Sequence, residues 1–301
     1  MKNLVGSLIV GFFCLQPALA QEEGGATTPA ASPAFDDALQ DSENWREVDP
    51  ENLIKFRILD GRGQERGTIF VEIATFTAPG HIERFKELIR SGDLNGTVFH
   101  RVIDDFMAQG GDVEAKDPSL TGKWADIPGE FTFIRYPLKT DGSELPMHKL
   151  GPDSSATNGY IMGFPVQTQS EYLASLTKEQ SVESWIPHCE GVVSTARTDD
   201  PNSASTQFFL MREARQHLDR EYTSWGRVLV GQDVVDSIKV GEPVSIPDML
   251  ISADIVADLP EDEQPRVLVQ RTDGPDYAPI LEANAGVNVC DLPAVPALVS
   301  E

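Results

Sequence analysis

The sequence predicts an all-β protein, a barrel capped by two helices. Many short segments alternate apolar and polar residues or are rich in β-branched and aromatic residues, which is typical of strands. Only two substantial segments, one early and one late, have helical periodicity. Since helices do not alternate with the strands, a βαβ architecture is excluded. The 40% hydrophobic content of the 301 residues is sufficient for a packed core and argues against wholesale disorder.

The first elements follow from local patterns. Two alternating segments, 53–59 and 68–74, flank the turn formed by residues 60–63 and predict an antiparallel hairpin. A helix follows from Pro79, because the apolar positions Ile82, Phe85, Leu88 and Ile89 form one stripe. Further strands are predicted at residues 98–103, 191–196, 206–211, 225–230 and 249–256, with the second helix at 233–239.

Outside the predicted body, the two ends of the chain have different compositions. Residues 1–20 carry Lys2, an apolar run and an Ala-Leu-Ala site, which predicts a signal peptide. Residues 21–46 are read as a flexible linker, because they are poor in apolar side chains. A single domain is predicted at 47–257, followed by a C-terminal extension at 258–301. This extension is expected to drape over the surface, apart from one edge strand at Val267, Leu268 and Val269.

The long stretch within residues 112–190 is rich in glycine and proline and contains one predicted helix at 170–176. It is interpreted as an insertion. Two readings remain open: an annex that binds client polypeptides, or a solvated insertion without a binding role.

The charge and the cysteines exclude several classes of protein. A net charge of −24 disfavours nucleic-acid binding and is repelled by anionic membranes. After removal of the signal peptide, Cys189 and Cys290 remain, and they form either one disulfide or two thiols. His188 and Cys189 with His148 match no spacing of metal ligands, so no metal site is predicted.

Four strings carry the most specific information: FHRVIDDFMAQGGD at residues 99–112, GVVSTAR at 191–197, STQFFL at 205–210 and LDREYTSWGRV at 218–228. Together they resemble the cyclophilin family of peptidyl-prolyl cis-trans isomerases, over roughly residues 52–256. The resemblance implies a closed eight-stranded antiparallel barrel. It also implies that the protein accelerates rotation about X-Pro bonds and so assists the folding of exported proteins.

The resemblance also implies roles for individual residues. Arg101 is expected to donate to the prolyl nitrogen, and Gln109 to steady the arginine and the substrate carbonyl. The side chains expected to bind substrate, as the proline pocket or the peptide groove, are Phe106, Met107, Ala196, Arg197, Gln207, Phe209, Leu218 and Tyr222. Of these, Arg197 and Tyr222 depart from the family, which has asparagine and histidine there.

The expected partners are unfolded or flexible proline-containing polypeptides, met in the periplasm or outside the cell. No cofactor is expected, because the rotation makes and breaks no covalent bond. A monomer without membrane attachment after signal cleavage is expected. The alternative is a client-binding module or holdase chaperone without catalysis. A hydrolase is disfavoured, since the sequence has no GxSxG nucleophile elbow.

Overall fold

Antiparallel β-sheet dominates the computed structural model, which describes residues 34–151 and 157–300. The predicted signal peptide and residues 21–33 of the predicted linker lie outside these ranges. In chain order the strands are β1 (Trp45–Glu47), β2 (Leu53–Leu59), β3 (Glu65–Ile73), β4 (Thr97–Val98), β5 (Arg101–Ile103), β6 (Met107–Gly110), β7 (Phe133–Arg135), β8 (His148–Lys149), β9 (Asn158–Ile161), β10 (Phe164–Thr168), β11 (Val182–Trp185), β12 (Val192–Thr195), β13 (Phe208–Met211), β14 (Ser224–Val230), β15 (Met249–Ile255), β16 (Val267–Gln270) and β17 (Ala297–Val299).

Short helices connect the strands. The α-helices are α1 (Phe35–Gln40), α2 (Pro79–Ser91), α3 (Val113–Lys116), α4 (Gln232–Ser237) and α5 (Ala278–Ala283). The segment predicted as a helix at 170–176 is a 3₁₀ helix, Glu171–Leu176. None of the helices in the described ranges is both long and apolar enough to cross a bilayer.

The largest sheet has nine strands in the order β4-β15-β2-β3-β14-β12-β13-β6-β5. The prediction of eight strands in a closed hydrogen-bonded barrel is therefore wrong in detail, because the ladder is open between β4 and β5. These two strands are consecutive in the chain and only Phe99 and His100 separate them, so the backbone itself joins the two ends of the curled sheet.

The interior of this barrel is apolar, and two helices cover it. Phe85 and Leu88 of α2 and Val235 of α4 are buried in the same cluster as the inward side chains of the strands. Phe85 stacks on Trp225 with ring centres 4.4 Å apart. The predicted cap of two helices is confirmed, and strand alternation leaves the other face of the sheet free to carry a site.

The insertion folds into a second sheet of five strands, in the order β7-β11-β10-β9-β8. Its small core contains Phe133, Met147, Ile161 and Val166. Its strands are two to five residues long, too short for their periodicity to be recognised in the sequence. The insertion is therefore a folded layer with its own buried side chains, and its role as a client-binding annex or as an insertion without a binding role is not decided by this packing.

Glu130 fixes the insertion to the barrel. Its carboxylate accepts hydrogen bonds from the backbone N–H groups of Gly80 and His81 at 3.2 and 3.0 Å, and it contacts Nδ1 of His81 at 2.8 Å. The start of α2 has no capping side chain of its own, so this carboxylate satisfies its free N–H groups.

A third sheet, in the order β1-β16-β17, joins the two end segments. Ala38 of α1 and Trp45 of β1 are buried with Leu268 of β16. The prediction of a flexible linker is therefore wrong for residues 35–46. Strand β16 contains the predicted edge strand, but it lies in the centre of its sheet because β17 returns beside it, so the extension does not simply drape over the surface.

The two cysteines form a disulfide, Cys189–Cys290, which closes a loop of 101 residues between the barrel and the C-terminal extension. The sequence left this pairing open. Both cysteines belong to the second large apolar cluster, which lies between the outer face of the barrel, the insertion and the extension.

Candidate active site

Strand register places three of the predicted site residues side by side. Strands β5 and β6 pair Arg101 with Gln109, and β6 and β13 pair Gln109 with Phe209. Residues directly opposite one another in neighbouring strands share a face of the sheet. The alternate residues, Val102 and Ala108, are buried in the barrel core. The three site side chains therefore project from the outer face.

A chain of hydrogen bonds orients the polar part of this row. Arg101 donates from Nε to Glu242 and from Nη1 to Oε1 of Gln109 at 3.4 Å. Gln109 in turn donates to Oε1 of Gln207 at 2.8 Å, and Gln207 donates to Asp112 at 3.1 Å. Among the described residues, Nη2 of Arg101 has no protein partner, and the side chain is 36% exposed. The guanidinium is thus held on two sides and keeps one nitrogen free for a ligand.

The residues of the predicted proline pocket form an apolar cluster on the outer face that carries the arginine. Met107, Phe209 and Leu218 are buried, Phe106 is half-buried, and all four belong to one packed cluster. Leu218 comes from the 3₁₀ helix Gln216–Leu218, which brings it to the strands from another part of the chain. The pocket has the aliphatic and aromatic walls that a proline ring requires.

The buried ring of His188 packs against the aromatic side chains of this pocket. Its ring stacks on Phe209 at 5.9 Å and lies edge-on to Tyr222 at 6.5 Å. Nδ1 contacts Oδ1 of Asp219 at 3.0 Å and Nε2 contacts Oγ of Ser224 at 3.4 Å. Burial lowers the pKa of His188, and the neighbouring carboxylate only partly opposes this effect. The imidazole is therefore neutral at pH 7, donates from Nδ1 and accepts at Nε2.

A cleft of about 410 Å³ extends from the two glutamines along the predicted peptide groove. The backbone N–H of Ala196 donates to the carbonyl of Gln207 at 2.9 Å. The guanidinium of Arg197 lies 4.4 Å from the ring centre of Tyr222 and donates to the carbonyl of Glu221 at 2.9 Å. Arg197, which lines the cleft, thus lies against the aromatic ring of Tyr222.

The structure brings all ten predicted site residues together, although their catalytic and binding roles remain predictions. Sequence reasoning missed two neighbours of the site. Glu242 lies 141 residues after Arg101, and only the fold brings the two together. His188 was considered only as a metal ligand. In the described ranges no group of histidine, cysteine or acidic side chains is arranged to hold a metal ion, and Cys189 is in the disulfide.

Comparison with known proteins decides the family. The family model described as cyclophilin type peptidyl-prolyl cis-trans isomerase/CLD matches residues 58–255. This chain is a member of the cyclophilin family. The match includes every residue of the site described above and lies within the predicted 47–257 domain.

Relatives of this cyclophilin support the same conclusion. A probable peptidyl-prolyl cis-trans isomerase of Brucella abortus (strain 2308) is 34% identical over 216 residues, which are 70% of this chain and 86% of that protein. The isomerase cyp18 of Streptomyces antibioticus is 30% identical over 58% of this chain and 78% of its own length. The crystal structure of cyclophilin AquaCyp293 from Hirschia baltica is 41% identical, with a TM-score of 0.79 over 89% of this chain and 98% of that chain.

The chain is therefore a peptidyl-prolyl cis-trans isomerase that acts on proline-containing polypeptides, as the sequence predicted. The predicted all-β, cyclophilin-like fold class is confirmed as well.

Proposed function

We propose that Arg101 is the group through which this cyclophilin accelerates rotation. An X-Pro amide is planar because the nitrogen lone pair is delocalised into the carbonyl, and its rotation barrier is about 18 to 20 kcal/mol. In the twisted state the lone pair is localised on nitrogen and accepts a hydrogen bond. A guanidinium that donates there stabilises the twisted state more than the planar one, and therefore lowers the barrier.

The observation that carries this proposal is the arrangement of Arg101 beside the apolar pocket. Glu242 and Gln109 hold two of its nitrogens, and Nη2 remains available. A proline ring seated against Phe209 and Met107 would lie on the same outer face as the guanidinium. A hydrogen bond from a charged donor contributes about 1.5 to 3 kcal/mol, which corresponds to roughly a 10- to 100-fold change in rate.

We further infer that the protein acts as a monomer on unfolded or flexible chains in the periplasm or outside the cell, where it assists folding. Two features support this location. Residues 1–20 have the pattern of a signal peptide. Disulfides such as Cys189–Cys290 form and persist in oxidising compartments. Cell fractionation with antibody detection tests the location, and recovery of the protein only from the cytoplasm would contradict it.

NMR exchange spectroscopy of a short Ala-Pro peptide tests the mechanism. Arg101→Ala should lower kcat/KM by at least tenfold, and Arg101→Lys should recover only part of the loss, because lysine lacks the planar fork. Arg57→Ala is the matched control, since Arg57 is an exposed arginine paired with Glu65 on another strand of the same barrel. Unchanged turnover in Arg101→Ala would exclude this role of the arginine.

A further inference from the structure

A second cleft, of about 870 Å³, lies between the insertion and the barrel. One wall is formed by residues 129–134, which end in strand β7, and Glu183 of β11 lies beside them. The lining also includes Arg220 and Glu221, which immediately precede Tyr222 of the candidate active site. None of the functions described above uses this cleft.

Strand β7 forms one edge of the insertion sheet, and within residues 34–151 and 157–300 it pairs only with β11. The backbone N–H of Gln169 donates to the carbonyl of Glu183 at 2.9 Å, and the N–H of Glu183 donates to the side chain of Gln169 at 3.0 Å. Glu183 therefore directs both backbone groups away from β7. Hydrogen-bonded pairs alternate along antiparallel strands, so the backbone groups of Ile134, which is opposite Glu183, point away from β11. Thr132 immediately precedes the strand, and a continuation of β7 by one residue would direct its backbone groups the same way.

The free edge of β7 carries an apolar side chain, Ile134, at the position where protected sheet edges usually carry a charged one. Ile134 is 50% exposed. Natural proteins usually protect such an edge with lysine, proline or a bulge, because unpaired backbone groups bind other extended chains. Carboxylates outnumber cations in the lining of the cleft: Arg220 pairs with Glu183 at 3.3 Å, whereas Glu130 contacts the imidazole of His81, whose pKa is lowered by burial. The cleft therefore disfavours acidic chains, and Ile134 offers an apolar contact within it.

The cleft adjoins the candidate active site at Arg197. The guanidinium of Arg197 lies 4.4 Å from the ring centre of Tyr222 and 6.0 Å from that of Phe131. Phe131 lines the second cleft and Tyr222 belongs to the apolar cluster around the proline pocket. A polypeptide bound at the pocket can therefore continue past Arg197 towards β7.

We propose that β7 binds the segment of the client that flanks the isomerised proline, as an added strand paired with Thr132 and Ile134. Main-chain hydrogen bonds to the free edge supply affinity, and the apolar surface around Ile134 favours β-branched or aromatic residues in that segment. The inference rests on the proposed function and names the substrate class: long, extended chains without acidic residues beside the proline, rather than isolated X-Pro peptides.

The test compares kcat/KM for a four-residue Ala-Pro peptide with that for two longer peptides, which add eight Val/Thr-rich residues before or after the same core. One longer peptide should be turned over at least fivefold more efficiently than the short one. Ile134→Pro removes the outward N–H and the isoleucine side chain but no hydrogen bond to β11, so it should abolish this preference without changing turnover of the short peptide. Ile134→Thr keeps the N–H and should retain most of the preference. Leu176→Thr, at an exposed leucine of the insertion outside the cleft, should have no effect.

Equal turnover of all three peptides by the wild type, or a preference that survives in folded Ile134→Pro, would overturn the inference. Hydrogen exchange of the wild type provides a test that needs no variant: the amides of Thr132 and Ile134 should become protected only when the longer peptide is added. Protection without peptide would mean that the chain itself occupies the edge, which also overturns it. Turnover of the short peptide reports isomerisation alone, so failure of the proposed mechanism is distinguishable.

Discussion

Replacement of both cysteines of the Cys189–Cys290 bridge by serine is expected to lower the free energy of unfolding by about 3 to 5 kcal/mol. The bridge closes a loop of 101 residues. The chain-entropy relation gives about 4.7 kcal/mol at 25 °C for a loop of this length, and removal of native disulfides typically costs about 2 to 5 kcal/mol. Cys189 is also buried in the cluster that includes Val289 and Val295 of the extension, so a serine hydroxyl there adds a desolvation cost.

Urea unfolding followed by tryptophan fluorescence measures this effect. With a slope of about 3 kcal/mol per molar urea, the midpoint should fall by about 1 M or more. Turnover of the short peptide in the absence of urea confirms that the double variant is folded. Intact mass after alkylation without reductant verifies that the wild type is bridged. A bridged wild type with the same midpoint as the variant would refute the reasoning from loop entropy.

Three further predictions follow from individual contacts. Glu242→Gln should lower kcat up to about fivefold with little change in KM, because the exposed ion pair with Arg101 contributes at most about 1 kcal/mol to the positioning of the guanidinium. Glu242→Asp should recover part of the lost kcat. A change in KM without a change in kcat would contradict this prediction. Burial lowers the pKa of His188 below its ordinary value of 6.5, so as the pH falls the unfolded state takes up a proton at a higher pH than the folded state does. The free energy of unfolding of the wild type, relative to that of His188→Asn, should therefore be constant above pH 6.5 and decrease below pH 6.5 by up to about 1.4 kcal/mol per pH unit. A difference between the two proteins that does not change with pH in urea unfolding would refute this prediction. Glu171→Ala should destabilise the insertion by about 3 kcal/mol, because it removes the carboxylate 3.0 Å from Arg135, whose side chain is only 1% exposed; unchanged exchange of the β7 amides would contradict this.

The sequence alone was sufficient to predict most strands of the barrel, its two covering helices and most residues of the candidate site. Strand β2 alternates regularly and α2 has a complete apolar stripe, so local patterns determine both elements. Arg101 and Gln109 lie eight residues apart on neighbouring strands, and their pairing follows from a single tight connection. The family motifs contain the same residues, so the site could be recognised before the fold was known.

The remaining features depend on contacts between distant segments. Trp45 pairs with Gln270, and nothing in the composition around Trp45 indicates that a strand more than 200 residues later will cover it. Glu242 meets Arg101 only because the chain returns beside β5 after α4. The strands of the insertion were not predicted for a different reason: strands such as β8, with two residues, have no detectable periodicity.

The three-stranded sheet has a mechanical consequence. Strands β1 and β17 both run antiparallel to β16, so they are parallel to each other, on opposite sides of it. Tension applied through the segments before Trp45 and after Val299 therefore loads these hydrogen bonds in shear, all at once, before it reaches the barrel. An unfoldase that pulls on either segment must therefore separate these strands first, while the barrel and the candidate active site are still folded.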